Sequence, residues 1–167
     1  MSKIKNDFNK LKFKKEHPEA IIPKYAKIAD SGFDFYALVI NKKDSLGSYA
    51  KDILIPPGEQ ALIRTGVSCS IPIGYEIQIR PKSGLAAKYG LTITNTPGTI
   101  DAGYVNREIK VILRNNGNKI YKAKHQEKIA QGVFTPVIQA NIEEIKEFTE
   151  EDMKKDRGGG FGSTGIN

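Results

Sequence analysis

Tryptophan is absent from the 167 residues, cysteine occurs once and histidine twice. The lone Cys69 has no partner for a disulfide within the chain, so a disulfide-stapled scaffold is excluded. It lies in GVSCSIPI, whose alternation of apolar and small polar residues predicts a half-buried strand with a core thiol. His17 and His125 are too isolated to suggest a metal site or a catalytic triad. The sequence also lacks GxxxxGKS/T, CxxC, HExxH and GxSxG, which removes P-loop, zinc and serine-hydrolase chemistries. No apolar run approaches the roughly 20 residues that span a bilayer. The start is lysine-rich and has no apolar stretch of the kind found in secretory signals. These absences predict a soluble, cytoplasmic protein of one domain with no membrane attachment.

Acidic residues are few at the front. Residues 1 to 27 carry eight lysines against Asp7, Glu16 and Glu19, a balance of +5 that leaves only +2 of the total +7 for the rest. The body is thus nearly neutral, and nucleic acid is not expected as a partner. Ile4, Phe8 and Leu11 stand at helical spacing among the lysines from Ile4 to Lys15. That spacing predicts either a short amphipathic helix facing an unidentified partner or a solvated appendage.

From Ile28 to about Val137, short alternating runs are broken by turn residues: SGFDFYALVI, ALIRTGVSCSIPIG, YEIQIRP, LTITNTPG and EIKVILRNNG. This pattern predicts an all-β fold, a barrel or jelly roll whose closure protects its sheet edges. AAKYG after KSGL predicts the single short core helix, closed by Gly90. Beyond Val137 the composition turns acidic and then glycine-rich, ending RGGGFGSTGIN. A tail of this composition loses much backbone entropy on ordering, so it is expected to be mobile until something binds.

Three glycine-containing loops, RPKSGLA, NTPGTIDAGY and RGGGFGSTG, have the makings of phosphate sites. Glycine admits backbone N–H groups close to an anion, hydroxyls add donors, and Arg80, Lys82 and Arg157 add positive charge. In NTPGTIDAGY, Asp101 follows the Pro97-Gly98 turn, where a carboxylate can either orient a water or merely stabilise a turn. Tyr104 is open to a similar pair of readings, as site residue or as an ordinary strand aromatic.

Taken in order, ADSGFDFYA, RPKSGLAAKYGL, NTPGTIDAGY, HQEKIAQGVFTPV and RGGGFGSTG resemble the five motifs of the dUTP pyrophosphatase family, over residues 22 to 165. The resemblance implies a β-clip or jelly-roll barrel, homotrimeric, with each active site shared among subunits. It implies hydrolysis of dUTP to dUMP and pyrophosphate by water attack on the α-phosphate, which limits uracil in DNA and supplies dUMP for thymidylate synthesis. Asp101 would be the general base. Asn95, Gly98, Thr99, Ile100 and Lys110 would bind the uracil edge, and Tyr104 would pack under the deoxyribose. Lys82, Ser83, Gly84 and Gln131 would hold phosphates, and Asp34 would help to hold Mg2+ through water. Arg157, Phe161, Gly162, Ser163 and Thr164 would close over the nucleotide. The implied organisation is a lysine-rich extension at 1–20, a β domain at 21–150 and a flexible lid at 151–167.

The chain departs from the family pattern in four places. After Tyr104 it reads Val105, Asn106, Arg107, Glu108, one residue longer than Tyr-Arg-Gly-Glu, which predicts a bulge. Lys82 stands where arginine is commoner, without the planar fork for phosphate. Gln126, Glu127 and Lys128 replace Gly-Asp-Arg, leaving Glu127 with Lys128 as the expected ion pair. The fifth motif is one glycine shorter. Two alternatives remain at this stage: a dCTP deaminase on the same fold, and a partner-binding protein that uses the lysines and the inserted NKKDSLGSYAK.

Overall fold

A computed structural model describes residues 10–40, 42–43, 49–50, 52–156 and 158–159. The chain divides into two compact units, Met1–Val137 and Ile138–Asn167.

The first unit is built from short antiparallel strands: β1 (Lys12–Lys15), β2 (Gly32–Tyr36), β3 (Lys42–Lys43), β4 (Tyr49–Ala50), β5 (Asp52–Ile55), β6 (Gln60–Arg64), β7 (Val67–Ser70), β8 (Tyr75–Arg80), β9 (Leu91–Ile93), β10 (Gly98–Ile100), β11 (Lys110–Asn115), β12 (Tyr121–Lys124) and β13 (Lys128–Pro136). One helix, α1 (Ser83–Tyr89), joins β8 to β9. Alternation in sequence becomes alternation in burial. In β8 the side chains of Ile77 and Ile79 point inward, and in β11 those of Val111, Leu113 and Asn115 do. The helix ends as its sequence predicts, with Gly90 in the left-handed conformation at φ 69° and its N–H donating to the Ala86 carbonyl.

The sheet that carries the site runs β10-β8-β13-β2. One of its two inner strands, β13, pairs on one side with β8, placing Gln131 opposite Arg80. On the other it pairs with β2, placing Gln131 opposite Asp34. Three polar residues from distant parts of the sequence therefore stand in one row across three strands. Gly132, next along β13, lies against the rings of β2: a Cβ there would come within 2.5 Å of Phe33 and 2.7 Å of Phe35. The missing side chain lets Phe33, Phe35, Phe13 and Tyr25 pack edge to face, with centroids between 5.5 and 6.2 Å apart. Each such pair contributes roughly 0.5–1.5 kcal/mol beyond its buried area.

Of the segment from Ile4 to Lys15, read as either an amphipathic helix or a solvated appendage, residues 4–9 lie outside the described residues and Lys12–Lys15 form a strand. β1 pairs with β7, setting Phe13 opposite Cys69. Glu16 then anchors the exit, its N–H donating to the Gly66 carbonyl at 2.7 Å and its carboxylate accepting from the Ser68 hydroxyl. The partner strand overrode the helical spacing, because a short helix has little stability of its own. Cys69 is buried as expected, and burial pushes its thiol up to about 11.

In the second unit, α2 (Glu150–Met153) is started by a capping box. The Thr149 hydroxyl accepts from the Asp152 N–H, and the Asp152 carboxylate accepts from the Thr149 N–H. The Thr149 hydroxyl also donates to the Asp152 carboxylate at 2.7 Å, and this bond, with the one from the Thr149 N–H, holds the Asp152 carboxyl below its ordinary range. Among the described residues, no helix is long and apolar enough to cross a membrane.

Candidate active site

The expected residues fall into two groups within the first unit. The first lies around β10. A cis Thr96–Pro97 bond leads into Gly98, which pairs with Ile79 of β8, and a Cβ on Gly98 would stand 3.1 Å from the Asn95 amide. Thr99 and Ile100 complete the strand, and Asp101 follows it with its carboxylate exposed to solvent. The Tyr104 N–H donates to the Asp101 carbonyl at 3.1 Å, closing a tight turn between the two side chains of interest. Tyr104 is half-buried, its hydroxyl donates to the Glu108 carbonyl at 3.1 Å, and the Arg107 guanidinium lies 5.9 Å from its ring centre. Within the longer stretch after Tyr104, Asn106 has a φ of 58°, left-handed, as asparagine tolerates. Lys110 opens β11 opposite Arg64 and is exposed.

The second group lines a cavity of about 380 Å3 whose walls include Ser31, Gly32, Asp34, Arg80, Lys82, Lys128 and Gln131. Asp34, only 6% exposed, sits at its base. Lys82 ion-pairs with one carboxylate oxygen, and Lys128 reaches the other at 2.7 Å. Burial works against the charge on Asp34, but the bonds from Lys128 and Lys82 outweigh it and hold the carboxyl below its ordinary range. The Lys128 ammonium is pushed up in turn by Asp34. Arg80, braced by Gln78, adds a third cation to the rim. Ser83 and Gly84 form the exposed first turn of α1, where backbone N–H groups have no partner in the helix. Gln131 uses its amide N–H on the Pro81 carbonyl at 2.9 Å, so it also fixes the loop that carries Lys82.

Two details correct the sequence reading. Lys128 pairs with Asp34 and not with its neighbour Glu127, whose carboxylate accepts from the Lys124 N–H at 3.0 Å. Lys128 is thus a member of the cationic cluster that sequence reasoning missed; the signal was its place where the family pattern has arginine. Glu108, noted only as part of a departure, binds Arg64 and Gly66. Asn95, Asp101, Tyr104 and Lys110 are not among the residues lining the cationic cavity. Arg157, Phe161, Gly162, Ser163 and Thr164 lie outside the described residues.

The donor set for magnesium is sparse. Among the described residues, no three His, Cys, Asp or Glu side chains gather as they would in a protein cage, and both oxygens of Asp34 are already held by lysines. Such a site fits a cation carried chiefly by phosphate oxygens and water, with one carboxylate nearby.

A small all-β body with a cavity lined by three cations beside Asp30 and Asp34, and with a separate carboxylate-bearing turn, has the charge pattern of a protein that handles phosphorylated ligands. The chain belongs to the dUTPase family, whose model matches residues 18–165. It is 47% identical to deoxyuridine 5'-triphosphate nucleotidohydrolase from Nautilia profundicola, over 93% of this chain and 99% of that protein. It is 44% identical to the protein of that name from Clostridioides difficile, over 93% and 98%. Among solved structures, it is similar to the dUTPase of Staphylococcus bacteriophage 80alpha with dUPNHPP, at 26% identity and a TM-score of 0.75, covering 95% of this chain and 99% of that one. It is also similar to a mutant dUTPase from phage phi11 of S. aureus, described for its coordination of a structural Mg(II) ion. That match has 25% identity and a TM-score of 0.70, over 84% and 99%. The all-β jelly-roll expectation is met.

Proposed function

We propose that this chain hydrolyses dUTP to dUMP and pyrophosphate, with Asp101 as the general base. The observation that carries the reading is the exposed Asp101 carboxylate, tied through one backbone hydrogen bond to Tyr104 in a chain that belongs to the dUTPase family. Asp101 takes a proton from a water molecule as the water oxygen bonds to the α-phosphorus, and the bond from that phosphorus to the bridging oxygen breaks, releasing pyrophosphate. Asn95, Gly98, Thr99, Ile100 and Lys110 bind the uracil edge, and Tyr104 forms the floor under the deoxyribose. A site with fixed hydrogen-bond partners rejects a mismatched base strongly.

Lys82, Ser83, Gly84 and Gln131 receive the phosphates, supported by the free N–H groups of the first turn of α1 and by the cations around Asp34. Magnesium, when bound with the nucleotide, would offset triphosphate charge, and Asp34 would help to hold it through water. Arg157, Phe161, Gly162, Ser163 and Thr164 act as a lid that excludes water.

The active unit is a trimer, since the cationic cavity and the Asp101 turn are two groups that neighbouring subunits can bring together. Exposed Leu54, Leu62 and Ile120 on the body, 57–61% accessible, supply apolar surface for that assembly. The lysine-rich front remains a candidate for a separate partner.

The test offers each nucleoside triphosphate in turn and measures pyrophosphate release. dUTP is expected to be the preferred substrate by orders of magnitude. Ammonia released from dCTP would instead assign a deaminase.

A further inference from the structure

Glu108 stands at the junction of four hydrogen bonds. Its carboxylate accepts from the Arg64 Nε at 3.0 Å through each oxygen, and from the Gly66 N–H at 2.8 Å. Its main-chain carbonyl accepts from the Tyr104 hydroxyl at 3.1 Å. The next residue is gripped as firmly: the Ile109 N–H donates to the Val67 carbonyl at 2.8 Å, and its carbonyl accepts from the buried Thr65 hydroxyl at 2.6 Å. Both partners of the Glu108 carboxylate, Arg64 and Gly66, and both of Ile109's main-chain partners, Thr65 and Val67, come from residues 64 to 67, the corner between β6 and β7. That corner is held in turn, because the Gly66 carbonyl accepts from the Glu16 N–H just after β1.

We infer that Glu108 is a positioning residue for Tyr104, converting the rigid β6–β7 corner into a fixed tilt and height of the tyrosine ring and so into discrimination against a 2′-hydroxyl. The inference rests on the proposal that Tyr104 lies under the deoxyribose. Its physical basis is leverage. Between Tyr104 and Glu108 the side chains of Val105, Asn106 and Arg107 are exposed and Asn106 is left-handed, so the turn is tied to the body less by packing than by a backbone bridge from Val105 to Cys69 and by the Lys14 ammonium on the Asn106 side-chain oxygen at 3.4 Å. The hydroxyl-to-carbonyl bond fixes the far end of the ring, and that carbonyl is only as steady as the side chain anchoring its residue. With 15% of its side chain exposed, the Glu108 carboxylate is shielded enough for its bonds to be firm.

The experiment compares kcat/KM for dUTP with that for UTP. Glu108→Ala is expected to lower the dUTP preference about tenfold, mainly through faster use of UTP and a higher KM for dUTP, while kcat for dUTP changes little. Glu108→Gln, whose amide oxygen still accepts from Gly66, is expected to keep most of the preference. Tyr104→Phe removes the same link from the other end without disturbing Glu108. It is expected to match the loss, with the double variant no worse than either single one. A folded Glu108→Ala protein with unchanged preference overturns the inference, as do additive losses in the double variant. Should Glu108→Ala not fold, an unchanged preference in Tyr104→Phe overturns it as well. Tyr104→Ala separates the two levels. If it retains the preference, the sugar-floor reading falls and takes the inference with it. If it loses the preference while Glu108→Ala retains it, only the inference falls.

Discussion

Lys128 Nζ lies 2.7 Å from Asp34 Oδ2, joining the inner strand β13 to its neighbour β2 from opposite ends of the sequence. With Lys82 on the other oxygen, one carboxylate organises two cations at the cavity wall. The Asp34 carboxyl titrates below its unfolded value of about 3.9, so its stabilising effect is complete above that pH and is lost as the pH falls through the lowered value. Lys128 titrates above its unfolded value of about 10.4, so its share is complete below that pH and is lost on the alkaline side. Asp34→Asn is expected to melt a few degrees below the parent chain at pH 7, with the gap closing toward pH 2. Melting curves across pH check this, and a gap that persists at pH 2 would contradict it.

Asp101→Asn keeps the turn and its backbone bonds but removes the proton acceptor. Turnover is expected to fall by roughly 10²–10⁴, while the affinity for dUTP measured by calorimetry stays within about threefold. Near-normal turnover would remove Asp101 from the mechanism.

Cys69 is 4% exposed and its thiol is raised to about 11 by burial. An alkylating reagent at pH 8 is therefore expected to leave the folded protein unlabelled over hours and to label it fully in denaturant. Mass spectrometry distinguishes the two, and rapid labelling without denaturant would mean that the β1–β7 pairing opens readily.

Asn115 is fully buried. Its amide donates to the Ile55 and Lys119 carbonyls, each at 2.8 Å, and accepts from the Gly117 N–H at 2.9 Å. Asn115→Ala leaves three groups unpaired and is expected to cost about 3 kcal/mol. Denaturant unfolding is the measure, and a loss below about 1 kcal/mol would mean that water replaces the amide.

Truncation before Arg157 tests the lid. Turnover is expected to drop at least tenfold with the melting temperature of the remaining chain unchanged, since the first unit, Met1–Val137, is compact by itself. An undiminished rate would dismiss the tail.

Strands such as YEIQIR and KVILRN were legible because half their residues face a core, and α1 because good helix formers end at a glycine suited to φ 69°. The chemistry of Asp101 and Tyr104 was legible only through the five-motif resemblance, since an aspartate in a turn has many uses. What the sequence hid was long-range partnership. KFKK has no intrinsic reason to be a strand until β7 lies beside it. Lys128 looked like the partner of Glu127 because they are neighbours, yet Glu127 lies in the connection before β13 and turns its carboxylate back to the Lys124 N–H, while Lys128 opens the strand beside β2. The role of Glu108 depends on a corner more than 40 residues earlier, and no local pattern announces it.

The interior place of β13 has a bearing on how the protein is made. Among the described strands, residues 128 to 136 are the last to emerge from the ribosome, yet they bridge β8 and β2. Until then β2 has no neighbour in its sheet, Asp34 lacks its Lys128 counter-charge, and the Phe33 and Phe35 rings have no β13 backbone to lie against. The nascent chain must wait with an open, aromatic edge, so an early stop or a stalled translation releases a species prone to self-association.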